Sequence, residues 1–237
     1  MALRPGAYGG RTLLREEGGG VKAQATSRIY PNVTLGENAE LGDFVVLGVP
    51  PGGALPGEIP LVIGCNAIIR SHTVIYAGAV IGDDFATGHA AMIREFTRIG
   101  NRVSVGTHTV IEHHVAIEDD VRIHSQSFIP EHSTLEQGCR IGPQVVLANT
   151  LHPYCPKAKE CARGPRVGRG AKIGANATLL PDIVIGENAL VGAGAVVVGD
   201  VAPGAVVVGN PAQMVKHISE LNCPYGLIEH PYGDQGG

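Results

Sequence analysis

Three observations make an all-β solenoid of stacked triangular coils the fold class this sequence predicts. The first is a period: from Ile63, aliphatic residues recur every six positions through Ile69, Ile75 and Ile81 to Leu147, and Thr87 alone falls out of step. Second, the fifth place of each hexad is small or branched, as in Ala67, Thr73, Ala79, Ala91 and Thr97, and the second place is often Gly. Third, the chain has 34 Gly, no Trp and only 4% aromatic residues, so small and β-branched side chains must fill the interior. A period of six matches neither a helix nor a lone alternating strand. It matches one short strand plus one corner per hexad, with three hexads closing a coil.

Taken in order, residues 1–28 read as an N-terminal extension, with Gly9-Gly10 and Gly18-Gly19-Gly20 and no continuous apolar run, so no signal peptide is expected there. Residues 29–208 carry the repeat, first through Ile29, Leu35, Leu41 and Leu47 and last through Val167, Ile173, Leu179, Ile185, Val191 and Val197. Two stretches interrupt it, at 48–62 and 149–166. With three corners per coil, both leave from the corner of the hexads that start at Ile75, Ile93, Ile111, Ile129 and Leu147, which we call the third corner. Loops that leave a regular scaffold are where sites are usually built. Residues 209–237 read as a cap and tail, with Gly209-Asn210-Pro211-Ala212 leading into a short helix that ends near Leu221.

The net charge of −4 and the lack of any basic stretch interleaved with aromatics argue against nucleic acid as a partner. The most apolar run, from Ala189 to Val198, is broken by Gly192 and Gly194 and is too short to span a bilayer, so no membrane partner is expected and the chain is read as cytoplasmic. Five Cys without an export signal fit free thiols. Cys155 and Cys161, with Cys223 and either His152 or His230, allow two readings: a zinc knot or ordinary reduced thiols.

Ten His call for a sorting rule. The fourth hexad place holds Asn32, Asn38, Asn66, Asp84, Asn176 and Asn188, types that tolerate a positive φ; His72, His108, His114 and His132 stand in the same place and are read as turn residues. His89 and His113 occupy the third place, where no such backbone reason applies. Equivalent residues on successive coils lie 18 apart and stack at about 4.8 Å. The third-corner column then reads Ala77, Glu95, His113, Glu131, Asn149, a His between two carboxylates, as a general base would be oriented. A surface ladder of alternating charge is the other reading of that column. On the second corner, His89 stacks with Ser71, Thr107 and Ser125.

These hexads resemble the left-handed parallel β-helix of the hexapeptide-repeat acyltransferases over about residues 29 to 202. The segment Val110-Ile111-Glu112-His113 is similar to the Ile-Glu-His segment of acetyltransferases acting on nucleotide-linked amino sugars, although those enzymes carry an α/β domain ahead of the helix. Nucleotide-sugar 3-N-acetyltransferases, built of the solenoid alone, align better in the latter half, through Glu131, Ile141-Gly142-Pro143 and Asn149. What the resemblance implies is an acetyl-CoA-dependent N-acetyltransferase working as a homotrimer on a small-molecule amine, an amino sugar and by preference a nucleotide-linked one, with sites between adjacent solenoids. On that reading His113 is the base and Glu95 or Glu131 its orienter. His89, His108, Asn149 and His152 touch the acceptor or thioester, and Ala175, Ala193 and Lys216 meet the donor. No metal is assigned.

Two other readings stay beside it, a non-catalytic trimeric scaffold and a γ-class carbonic anhydrase-like metalloenzyme. The spacing of His72, His108 and His113 resembles the zinc ligands of that second family. Its 36-residue gap is two whole coils, however, a rise of about 9.6 Å, whereas zinc ligands must each lie within about 2.1 Å of the metal.

Overall fold

A computed structural model describes residues 20–232 of the chain. It is a left-handed parallel β-helix of about ten turns. Short strands, most of two or three residues, alternate among three sheets, and up to the C-terminal end of the solenoid each pairs in parallel with the strand one coil away. Met92–Ile93, for example, lies between Val74–Tyr76 and Val110–Ile111. The three sheets hold eleven, nine and eight strands.

The hexad places acquire their roles from this geometry. First-place residues such as Ile75, Ile93, Ile111 and Ile129 and fifth-place residues such as Ala67, Thr73 and Ala91 all point inward and are buried. Sixth-place residues point out. Places three and four form the corner, and the fourth is left-handed on coil after coil, with φ of 63° at His72, 58° at His108, 56° at His114 and 64° at His132. Their reading as turn residues therefore agrees with the backbone. Such a φ costs a non-glycine residue roughly 1 kcal/mol, offset here by stacking along the corner, as where the Phe44 ring meets His72 at 5.0 Å. Second-place glycine permits close approach of coils: a Cβ on Gly106 would sit 2.3 Å from the Ser125 nitrogen.

Thr87, the one break in the period, has its own job. Its hydroxyl accepts the Arg70 N–H at 3.0 Å and lies 3.3 Å from the Thr73 hydroxyl. Only Ala86 of this strand registers with the coil below, opposite Ile68. Phe85, fully buried two residues earlier, supplies bulk that the smaller Thr87 lacks.

Four boundaries differ from the sequence reading. The solenoid begins before Ile29, because Lys22–Ala23 already pairs with Glu40–Leu41. Ala23 keeps the six-residue phase with a methyl group in place of the larger Ile, Leu or Val, which hid it. The remainder of the expected extension, residues 1–19, lies outside the described residues. The first interrupting segment is shorter than 48–62 implies, since strands Val46–Val49 and Leu61–Ile63 take its ends, and the second ends one residue before 166, where strand Arg166–Val167 begins; both leave from the third corner.

At the C-terminus the expected helix is replaced by a hairpin. Strand Ala205–Gly209 turns back into Ala212–His217, which pairs with it antiparallel, and a single 3₁₀ turn, Ile218–Glu220, follows. The last coil would otherwise expose an unpaired strand edge, and the returning strand satisfies it. His217 closes the 3₁₀ turn with a capping box, its ring accepting from Ser219 N and its own N–H donating to Glu220.

Candidate active site at the third corner

The third corner brings charged and aromatic side chains together over neighbouring coils. His113 is half-buried, with Nε2 2.7 Å from Oε2 of Glu131 one coil above. Its Nδ1 lies 2.8 Å from Nδ1 of His114, and the two rings meet edge to face at 88°. His114 in turn lies between Phe96 and His132, its neighbours in the fourth-place column, at centroid distances of 5.1 and 5.8 Å. The left-handed turn that sequence reasoning assigned to His114 and His132 also sets their rings beside His113. Sequence reasoning passed over both as site residues, although the His113-His114 pair and the 18-residue step to His132 were visible.

Of the two carboxylates expected to orient His113, Glu131 makes the contact and Glu95 does not. Glu95 is 8% exposed, and both its oxygens are held by Arg94, at 2.9 Å from Nε and 2.8 Å from Nη2. Nη1 of Arg94 reaches Glu112 at 3.1 Å, and its guanidinium lies 5.2 Å from the Tyr76 ring centre. Burial pushes the Glu95 carboxyl up, but the Arg94 bonds and charge outweigh it and hold the group below the usual glutamate value. Arg94 was missed because a second-place Arg looks like ordinary surface charge.

The other expected residues divide between corners. Asn149 sits at the head of the third-corner loop, where its side-chain oxygen accepts from Thr150 and its carbonyl from the Arg163 N–H. His152 is exposed farther along that loop, its carbonyl bonded by Cys155 N. A short helix, Ala158–Cys161, follows. His89, by contrast, stands on the second corner, where its Nδ1 meets Ser71 Oγ at 2.8 Å and its N–H donates to Thr107 at 3.1 Å. His108 is exposed beside it. Ala175 and Ala193 continue the same second-corner column toward the C-terminus, and Lys216 is exposed on the terminal hairpin. Neither Ala175, Ala193 nor Lys216 lines the groove of about 350 Å³ beneath that hairpin, which is bounded by Val198, Val201, Val207 and Met214.

All five cysteines are free thiols. Burial pushes the Cys139 thiol up to about 12, which removes it from chemistry at neutral pH. Among the described residues, no three His, Cys, Asp or Glu side chains converge to hold a metal ion, and no helix is long and apolar enough to cross a membrane.

Comparison with known proteins bears on the repeat most directly. A family model described as bacterial transferase hexapeptide (six repeats) matches residues 164–199. The 2,3,4,5-tetrahydropyridine-2,6-dicarboxylate N-acetyltransferase of Staphylococcus aureus strain MRSA252 is 36% identical over 88 residues, 37% of this chain and 34% of that protein. The chain thus matches about a third of the length of such relatives. Among solved structures, the UDP-N-acetylglucosamine acyltransferase from Campylobacter jejuni aligns over 83% of this chain and 75% of its own, at 14% identity and a TM-score of 0.46. The acetyltransferase domain of PglB from Neisseria gonorrhoeae, in complex with acetyl coenzyme A, aligns over 78% and 100%, at 15% identity and a TM-score of 0.41.

Proposed function

We propose that the chain is an acetyl-CoA-dependent N-acetyltransferase whose acceptor is the amine of an amino sugar, preferentially nucleotide-linked, and that it works as a homotrimer. The observation that carries this reading is the 2.7 Å contact between His113 and Glu131 on the corner from which both interrupting loops leave. A carboxylate on one ring nitrogen fixes the tautomer and stabilises the imidazolium that forms when the ring accepts a proton. Acetyl transfer needs that service: as the amine nitrogen bonds to the thioester carbonyl carbon, a proton leaves the nitrogen, and the carbon–sulfur bond then breaks to release CoA thiolate. Donors for the developing oxyanion would come from backbone N–H groups of a coil corner.

Two further supports are the N-acetyltransferase relative in Staphylococcus aureus and the bacterial-transferase repeat. The outward surface of one coil face is nearly flat, so a cleft able to enclose a ligand calls for a second solenoid beside the first. In such an assembly the third corner of one chain would face the second corner of another, with the acceptor near Asn149 and His152 and the donor near Ala175, Ala193 and Lys216.

The test is release of CoA thiol from acetyl-CoA with a panel of nucleotide-linked amino sugars, free amino sugars, serine and an amino dicarboxylate. Turnover with a nucleotide-linked amino sugar is expected, and CoA alone should raise Tm by linkage. Turnover confined to the dicarboxylate would move the acceptor class. Neither turnover nor a Tm shift would leave a scaffold.

A further inference from the structure

His113 has both ring nitrogens engaged, and this determines where a proton can enter. An ionised Glu131 can only accept, so the 2.7 Å contact requires the proton of His113 on Nε2. A neutral His113 then carries a lone pair on Nδ1. That atom lies 2.8 Å from Nδ1 of His114, a separation that accommodates one shared proton and not two. The shared proton therefore belongs to His114, whose remaining lone pair is on Nε2. Among the described residues, Nε2 of His114 makes no hydrogen bond, and His114 is exposed whereas His113 is half-buried.

Resting on the acetyl-transfer reading above, we propose that the proton acceptor is Nε2 of His114 and that His113 is a positioning residue linking it to Glu131. The amine proton passes to Nε2 of His114 as the new carbon–nitrogen bond forms. The Nδ1 proton of His114 shifts to Nδ1 of His113, which becomes an imidazolium paired with the Glu131 carboxylate. The charge thus comes to rest on the inner, carboxylate-paired ring, not on the exposed one. When the carbon–sulfur bond breaks, the proton on His114 Nε2 goes to the CoA thiolate and the Nδ1 proton returns to His114. Phe96 and His132 flank the His114 ring on either side, at 5.1 and 5.8 Å. The charged and titratable groups around the relay are Glu131 and His132 from the coil above and Arg94, Glu95 and Glu112 from the coil below and the same corner.

Histidine tautomers read by nitrogen-15 NMR on the full chain test the arrangement directly. The expected result is His113 protonated at Nε2 and His114 at Nδ1 at pH 8. His114 found with its proton on Nε2, or His113 with its proton on Nδ1, overturns the proposal. Kinetics give a second arm: His114→Asn, which suits the left-handed φ, should lower kcat by about 10²- to 10⁴-fold. A His114→Asn enzyme within about threefold of wild type, with His113→Asn dead, returns the proton to His113 and also overturns it. If no acceptor in the panel supports turnover in the wild type, the acetyl-transfer reading fails, and the tautomer measurement alone still decides the relay.

Discussion

Replacing Arg94 with Met keeps an unbranched apolar stem and removes the charge that holds Glu95. In the native protein that carboxylate is 8% exposed and gives both oxygens to the guanidinium, at 2.8 and 2.9 Å. Breaking one partner from a buried pair costs about 3–5 kcal/mol, because the other charge is left desolvated. Arg94 keeps 30% side-chain exposure, so solvent screens part of this. Its loss also leaves Glu112 facing Glu95 as a like charge, and the two corrections oppose each other. We therefore expect Arg94→Met to lose about 2–4 kcal/mol at pH 7.5, or roughly 5–15 °C in Tm for a chain of this size.

The sign of the pH dependence distinguishes this cause from lost packing. Glu95 titrates below its unfolded value in the native protein, so its stabilisation is present above about pH 4.3 and fades as pH falls through the depressed folded value. In Arg94→Met, burial is left to dominate and raises the carboxyl, so the penalty is full at high pH and shrinks as Glu95 takes up a proton. The gap in Tm between wild type and variant should narrow from pH 8 to pH 4.5, and Arg94→Met with Glu95→Gln should recover most of it at pH 7.5. Circular dichroism melts measure all of this. A gap under about 2 °C at pH 7.5, or one indifferent to pH and to Glu95→Gln, refutes the reasoning.

Thr87→Val deletes the acceptor of the Arg70 N–H in a buried site, and a loss of about 1–3 kcal/mol in Tm analysis is expected; an unchanged Tm would mean that the backbone ladder closes over the gap by itself. Ile111→Ala should cost about 2–5 kcal/mol, since the side chain is fully buried between coils, and denaturant unfolding would read it. His108→Asn should leave both Tm and kcat close to wild type, because Asn fits the 58° φ; a dead enzyme with normal Tm would give His108 a chemical role.

The fold was legible because burial in a solenoid depends on a one-dimensional phase. Ile75, Ile93 and Ile111 face inward for the same reason, and no long-range topology has to be guessed to see it. The pattern failed where the phase persists without its usual chemistry, as at Ala23, or where an edge has to be closed, as at Ala212–His217, which pairs backward along Ala205–Gly209. Stacking by 18 residues correctly placed Glu131 over His113, but it could not choose between Glu131 and Glu95, since a column of equal steps carries no side-chain direction. That choice was made by Arg94, which stands beside the column. His114 was hidden by a different limit: its left-handed turn explained its presence so well that its ring was not considered.

The separation of the expected residues between two corners leads to a last prediction. Three sheets keep the corners of a solenoid apart, so His113, Glu131 and Asn149 cannot converge with His89, Ala175 and Ala193 within one chain. If the proposed trimer joins the third corner of one chain to the second corner of the next, each site draws on two chains. His113→Asn removes the first contribution, and Ala193→Trp, at an exposed position, obstructs the second. Each variant alone should be nearly inactive. When the two are co-expressed in equal amounts and assemble at random, a site is intact when one chain brings a native third corner and its neighbour a native second corner. The chance is one half of one half, so about a quarter of wild-type activity should return over the random population of trimers. Light scattering on the same preparation should give three times the chain mass. Trimers that mix and regain nothing would place the whole site on one chain, and a monomer mass would remove the shared site together with the assembly.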